Sequence, residues 1–329
     1  MKKSKRILLV APHYFNYDVV IKEYLEDKGF LVDLINDRPY DSNFFKAIIR
    51  LNRSIINSFL FLHYQNQILK KNVKIYDLIF VIQGEGLIPK LLKWLRLKYI
   101  GTPMVCYLWD SIMNKPMLIE NFPYFDRVIT FDSDDAKRLH LEFVPLFFSP
   151  EFDILKKETR INKYDLCFIG SFHTDRAKLI QNLKKQAPDL KLFTYFYSPS
   201  RIIFYARQFF QKDILLKKLH DLHFRKLSHS QIMSFIKKSK VVLDIHNANQ
   251  SGLTMRTIEA LALQKKIATT NANIKNYDFY LPENICILDR NKLSIPNAFI
   301  KKPFKPLHKN IIKRYNLETF YQSTIGHYL

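Results

Sequence analysis

Short runs of unbroken apolar residues, separated by stretches of helical periodicity, recur along the whole chain and constrain its fold more than any other feature. Residues 7–11 (ILLVA), 30–35 (FLVDLI), 77–83 (DLIFVIQ), 103–109 (PMVCYLW) and 127–131 (RVITF) read as strands. Between the first two, residues 19–28 (VVIKEYLEDK) read as an amphipathic helix closed by Gly29. A strand that alternates apolar with polar residues can leave one face in water, whereas one that is apolar at nearly every position must be covered on both. Intervening helices supply that cover. The pattern therefore predicts parallel sheets of the doubly wound α/β class.

The cycle stops and restarts. Residues 144–150 (VPLFFSP), with two prolines, lead into the polar stretch 158–163, which reads as a linker. Beyond it come strands at 165–169, 190–195, 241–245, 266–270 and 285–288, with helices at 229–238 and 255–263. A chain of 329 residues exceeds the ~250–300 at which one core usually divides. Two Rossmann-like domains are expected, 1–150 and 151–308. A weakly helical tail, 309–329, is expected to pack back on the first. In such sheets ligands bind at the carboxyl ends of the strands, so two facing halves predict a central cleft.

Two turns in the second half suit an anion. In 249–260 (NQSGLTMRTIEA) a strand ends in a polar turn and a helix begins near Thr254. The turn brings Asn249, Gln250, Ser251 and Gly252. Unbonded N–H groups at a helix start attract phosphate, and a glycine such as Gly252 lets it approach the backbone. Arg256 can add a bidentate contact, and Glu259 can accept ribose hydroxyls. In 168–176 (FIGSFHTDR) a strand runs into Gly170 and Ser171, then Arg176 opens a helix. The stretch is neither a P-loop nor a GxGxxG fingerprint. In the first half, His13 follows the first strand, Glu85 lies in QGEG and Asp110 in YLWDS. Each strand-end position suits a group that receives a proton from an acceptor hydroxyl. The carboxylates of 124–135 (YFDRVITFDSDD) read as capping and turn chemistry, and no metal site is expected.

Charge limits the partners. With 52 Lys+Arg against 30 Asp+Glu, the chain carries +22 and attracts anionic partners. Residues 43–71 combine Phe44, Phe45, Phe59 and Phe61 with Lys46, Arg50, Arg53, Lys70 and Lys71, without one acidic residue. Residues 200–226 repeat the theme with Phe204, Phe209, Arg201, Arg207, Lys217 and Lys218. Basic amphipathic helices of this kind lie on anionic membranes. No stretch approaches the ~18 apolar residues of a membrane span. The three cysteines, Cys106, Cys167 and Cys286, sit singly in apolar runs, which argues against a disulfide or zinc framework and for a reducing compartment. A cytoplasmic protein, peripheral at the inner face of the cytoplasmic membrane, is expected.

The segments YDLCFIGSFHTDR, LDIHNANQSGLTMRTIEALALQKKIATTN and YLWDS…YFDRVITFDSDDA…VPLFF together resemble bacterial glycosyltransferases of the GT-B fold. The likeness is to those of capsular polysaccharide, exopolysaccharide and lipopolysaccharide assembly and to CgeB-like spore-coat proteins. It implies metal-independent transfer of a sugar from a nucleotide-sugar donor, bound by the C-terminal domain, to a lipid-linked or glycan acceptor at the N-terminal one, with no cofactor. It places Gly170 and Ser171 at the diphosphate, Glu259 at the ribose, and residues 251–254 facing the donor phosphates and sugar. Many retaining members carry a second Glu where this chain has Ser251, which leaves the stereochemical outcome open. A nucleotide-sugar epimerase or hydrolase would use the same donor residues without the basic apolar helices. A nucleic-acid binder would explain the charge, yet no RRM, KH, helix-turn-helix or zinc signature occurs, and nucleic acid is not an expected partner.

Overall fold

The structure, a computed structural model, describes residues 4–38, 53–152, 162–172, 174–201, 204 and 221–329. It divides into two compact units. The first comprises Met1–Leu146, Asn249–Gly252 and Leu317–Leu329, and the second Phe147–Ala248 and Leu253–Asn316. Of the two basic apolar segments, residues 43–52, 202–203 and 205–220 lie outside the described residues, and Lys46, Arg50, Arg207, Lys217 and Lys218 with them.

The first unit runs β1 (Arg6–Ala11), α1 (Tyr17–Asp27), β2 (Leu31–Asn36), α2 (Arg53–Lys70), β3 (Leu78–Ile82), α3 (Pro89–Lys98), β4 (Met104–Leu108), β5 (Arg127–Thr130), α4 (Ser133–Leu139) and β6 (Glu142–Phe143). All strand pairs are parallel, in the order β2-β1-β3-β4-β5-β6. Every residue of β3 and β4 is buried, as their unbroken apolar sequence requires. On one face Leu8, Val10, Ile79 and Val81 pack with Leu60 and Tyr64 of α2 and Leu91, Leu92 and Leu95 of α3.

The second unit runs β7 (Tyr164–Ser171), α5 (Thr174–Gln186), β8 (Leu192–Tyr197), β9 (Leu222–His223), α6 (His229–Lys237), β10 (Ser239–Asp244), α7 (Met255–Ala262), β11 (Lys266–Thr269), β12 (Ile285–Ile287), α8 (Asn297–Lys301) and α9 (Lys309–Lys313). Its strands are also parallel, ordered β12-β11-β10-β7-β8-β9. Leu166, Phe168, Val241 and Leu243 share a core with Ala177, Ile180 and Leu183 of α5. The two sheets are the doubly wound α/β architecture that the apolar runs predict.

The last helix, α10 (Leu317–Thr324), belongs to the first unit. Phe320 meets the Tyr107 ring edge-on at 4.8 Å, and Phe80 lies 6.5 Å away, so α10 covers part of the sheet's other face. Arg127 of β5 donates to the Ser323 (2.8 Å) and Thr324 carbonyls, satisfying acceptors that a helix end leaves open.

Both sheets have a switch point, where the strand order reverses and the connections leave in opposite directions. It falls between β1 and β3 in the first unit and between β7 and β10 in the second. Crevices at the carboxyl ends of such strand pairs are where this class binds ligands.

Candidate functional site

In the second unit, β7 outruns its neighbour. Its pairing with β10 ends at Cys167, but its pairing with β8 continues through Gly170↔Phe196 and Ser171↔Tyr197. Gly170 and Ser171 are thus strand residues, not the turn expected from the sequence, because β8 extends far enough to pair with them. On the other edge, Arg256 Nε donates to the Ile169 carbonyl at 3.4 Å, and Arg176 donates to the Ser171 carbonyl at 3.3 Å. Two predicted cations therefore converge on the end of β7.

The start of α7 is held by a buried acid. Thr254, its N-cap, accepts from Thr257 N–H and donates to Asp244 Oδ1 at 2.9 Å. Asp244 Oδ2 accepts from Thr257 Oγ1 (3.0 Å) and Thr269 Oγ1 (3.2 Å). Asp244 thereby ties the ends of β10 and β11 to the helix N-terminus, whose partial positive charge favours anions. One turn on, Arg256 pairs with Glu259, which is only 2% exposed.

Two residues that the motif reading passed over complete this site. Arg290, just past β12, pairs with Asp175 and donates to the His246 carbonyl at 2.8 Å. His246 follows β10, and its Nδ1 lies 2.7 Å from Thr270 Oγ1. Burial lowers the His246 pKa; Asp244 opposes this, while Arg290 and Arg176 lower it further, so the ring is neutral near pH 7. The legible signal was position: both stand within a few residues of the end of an apolar strand. Arg176, Arg256 and Arg290 lie beside a helix N-terminus, and a diphosphate there would compete with Glu259 and Asp175 for two of the three guanidinium groups.

The preceding turn behaves differently from expectation. Residues 249–252 belong to the first unit, where Asp132 takes their donors: Ser251 N–H at 2.8 Å and Gly252 N–H at 3.0 Å reach Oδ2, and Ser251 Oγ reaches Oδ1. A Cβ on Gly252 would lie 2.5 Å from the Phe131 ring, so that glycine admits a ring rather than a phosphate. The expected anion turn is corrected here: its Ser251 and Gly252 amides already serve a carboxylate, which would repel phosphate. Gln250 donates to the Gly252 carbonyl at 3.0 Å, and Asn249 is exposed in the same loop. Asp132 is also the N-cap of α4, accepting from Asp134 and Asp135 N–H, which is the capping role expected of this stretch.

In the first unit the predicted residues gather at the β1, β3 and β4 ends in two environments. His13 is half-exposed, and its Nδ1 lies 2.9 Å from Asp18 Oδ2 on the first turn of α1. Asp18 is buried, and its Oδ1 has no hydrogen-bond partner among the described residues. A carboxylate at Nδ1 fixes the proton there and leaves Nε2 as the basic nitrogen. Glu85 is instead enclosed by cations. It accepts from Arg38 Nη2 (2.7 Å) and Lys115 Nζ. Burial pushes its carboxyl up, but those two cations hold it below the ordinary range. Glu85 is thus committed to its partners and poorly suited to take a proton. Asp110 accepts from Asn114 Nδ2 at 2.8 Å, and its N–H donates to Gln83 Oε1 at 3.1 Å.

Asp37, beneath Glu85, is fully buried and accepts the Glu85 N–H at 3.0 Å. A side chain on Gly86 would collide with the Asp37 carbonyl and the Tyr64 hydroxyl, so glycine is required there. Burial, reinforced by Glu85 and opposed by Arg38, pushes the Asp37 carboxyl up to about 7. The native state thus binds the proton more tightly than the unfolded chain. Stability from this group is complete below the unfolded pKa and is lost as pH rises from about 4 to about 7. The loss has a ceiling of about 4 kcal/mol. Urea unfolding of Asp37→Asn should gain on the parent as pH rises through that window; an unchanging difference would refute the assignment.

Among the described residues, no group of three or more His, Cys, Asp or Glu is arranged to hold a metal ion. No protein-family model matches the chain, and no curated protein matches it in sequence. Solved structures do match. One is an alpha,alpha-trehalose-phosphate synthase (UDP-forming) from Burkholderia xenovorans in complex with glucose-6-phosphate. It has a TM-score of 0.66 and 11% identity, with 98% of this chain and 99% of that chain covered. An alpha-glucosyltransferase in complex with UDP and DNA has a TM-score of 0.56 and 14% identity, covering 98% and 93%. A Methanocaldococcus jannaschii UDP-GlcNAc 2-epimerase in complex with UDP-GlcNAc and UDP has a TM-score of 0.53 and 10% identity, covering 96% and 99%. At such identities the likeness is one of fold, and the fold of this chain is the two-unit Rossmann-like GT-B architecture.

Proposed function

We propose that this protein is a glycosyltransferase that moves a sugar from a nucleotide donor to a hydroxyl of a surface-glycan acceptor. The observation that carries the reading is the convergence of Arg176, Arg256 and Arg290 with the α7 N-terminus at the β7/β10 switch point. There they would bind the donor diphosphate and stabilise the charge that develops on the leaving nucleotide. Protein cations in that role make the transfer metal-independent. Glu259 would hold the ribose. The acceptor half belongs to the first unit, where His13 Nε2 receives the hydroxyl proton. The acceptor oxygen bonds to the anomeric carbon, the sugar–phosphate bond breaks, and its electron pair leaves with the nucleotide.

A thermal-shift panel of UDP-, GDP-, CMP- and dTDP-sugars tests the donor half. A ligand at 100 times its Kd adds about 2.7 kcal/mol to native stability, and no shift with any nucleotide would defeat the reading. His13→Ala should lower kcat about 10²–10⁴-fold while leaving that shift intact. Unchanged turnover would remove His13 from the chemistry. The epimerase among the fold neighbours supports a second reading, isomerisation of the donor sugar. Chromatography of products formed with and without an acceptor separates the two.

A lipid-linked acceptor at an anionic, cytoplasmic membrane surface accords with the face formed by α2 and α3. The two helices pack through Phe61 and Trp94, and residues 43–76 and 86–109 hold no acidic residue. Leu97 is 66% exposed and Ile100 85%, near Arg96 and Lys98. Among the described residues no helix is long and apolar enough to cross a membrane. Arg96 pairs with Asp126 at 3.0 Å, and exposed apolar side chains beside the remaining lysines suit shallow insertion among anionic headgroups. Sedimentation with anionic but not neutral vesicles is expected, and its loss in Leu97→Asp would locate the face.

A further inference from the structure

The loops after β1 and β4 meet through two aromatic rings. Tyr14, 43% exposed, lies 6.1 Å from Trp109, which is only partly buried, with the ring planes tilted by 56°. Trp109 is anchored from below: its N–H and that of Asp110 both donate to Gln83 Oε1 at 3.1 Å. Next to Tyr14 stands His13, with Asp18 on its Nδ1.

The backbone here departs from ordinary preference. Phe15 (φ 46°), Asn16 (φ 66°) and Gln83 (φ 66°) are left-handed, yet none is glycine. Each such residue costs about 1–2 kcal/mol, and strain of this sort gathers where geometry serves a ligand. Three of the six left-handed non-glycine residues among the described residues lie in the loops after β1 and β3.

The charges then choose between ligand classes. Among the described residues, Arg38 and Lys115 both donate to Glu85, which lies above buried Asp37. Asp18 and Asp110 add two more carboxyl groups. Glu85, Asp37 and Asp18 are buried, so the carboxyl group offered beside Trp109 is that of partly buried Asp110, an acceptor. A phosphate would be repelled there. Hydroxyl groups would be held as donors, and the C–H edge of a sugar ring, slightly positive, fits the negative face of an aromatic ring.

We propose that Tyr14 and Trp109 form the platform of an acceptor subsite for a neutral sugar ring, with Asp110 receiving one of its hydroxyls. The inference rests on the transferase reading and specifies its acceptor: a glycoside, rather than the phosphate group of a lipid carrier, occupies this position.

The chain has two tryptophans, so Trp94→Phe leaves Trp109 as the sole tryptophan reporter. In that background, titration with methyl glycosides of glucose, galactose, mannose and N-acetylglucosamine should change Trp109 emission saturably for at least one, while inorganic phosphate should not. With the glycoside that responds as acceptor, Trp109→Ala should raise its KM at least 10-fold and Trp109→Phe should largely restore it. The nucleotide-induced thermal shift should remain in both variants. A response to phosphate alone, silence toward every glycoside, or an unchanged KM in Trp109→Ala would overturn the subsite. Failure of every nucleotide sugar to shift the melting temperature, with the glycoside response intact, would instead defeat the transferase reading.

Discussion

Replacing Asp132 by alanine should destabilise the first unit by at least ~3 kcal/mol, a loss of the size expected when a buried ion pair is broken from one side. Asp132 is 1% exposed, and its two oxygens accept from five donors. Two are the N–H groups of Asp134 and Asp135 at the start of α4, and loss of such a cap alone costs ~0.5–2 kcal/mol. The other three come from Ser251 and Gly252, more than 115 residues away in sequence. Removing the carboxylate takes an acceptor from all five, the buried Asp135 and Gly252 N–H groups among them, at ~1–3 kcal/mol for each buried donor left unsatisfied. Asp132→Asn separates the two roles. Its one carbonyl oxygen can cap α4, but its amide nitrogen would face the Ser251 and Gly252 N–H groups. Hydrogen exchange should then quicken at residues 251–252 and not in α4. A loss below ~1 kcal/mol for the alanine variant in urea unfolding would contradict this account.

Arg256→Ala should weaken binding of nucleoside diphosphates at least 10²-fold, about 2.7 kcal/mol, and leave nucleoside binding nearly unchanged. An equal loss for both would place Arg256 away from the phosphates. The same substitution removes the guanidinium partner of buried Glu259, and breaking a buried pair from one side costs ~3–5 kcal/mol. Stability and affinity must therefore be measured on the same protein. Adding Glu259→Gln should recover most of the stability, because a neutral amide does not need the guanidinium group, without recovering phosphate affinity. Arg256→Lys should fall short on both counts. A single ammonium cannot reproduce a planar fork that reaches the Ile169 carbonyl and Glu259 together.

Much of the site was legible where chemistry follows local sequence. Thr254 caps α7 as its spacing before an apolar helix suggests, and Arg256 falls within the first turn. His13 sits at a strand end, with Asp18 five residues on, close enough for the loop to bring them together. Other features escaped because no local pattern encodes them. Asp244 reads as an interruption in VVLDI, and only three threonine hydroxyls from two neighbouring segments make it a tie point. Gly170 and Ser171 look like a turn after an apolar run, but β8 decides that the strand continues. Gly252 looks permissive toward a phosphate, and the partner that needs its missing Cβ is a phenyl ring from residue 131.

What the sequence determined by itself is the class of fold: strands such as LIFVI and MVCYL, apolar at every position, have no stable environment except the middle of a sheet covered on both faces. Tertiary structure alone decided which strands became neighbours, and with that which strand ends share a switch point. β10 lies beside β7 although about 70 residues separate them, and only that adjacency brings Arg256, Arg176 and Arg290 near one another. The physical reason is that burial is read residue by residue along the chain, whereas pairing partners and the destinations of polar side chains depend on groups that come close only after the chain has folded.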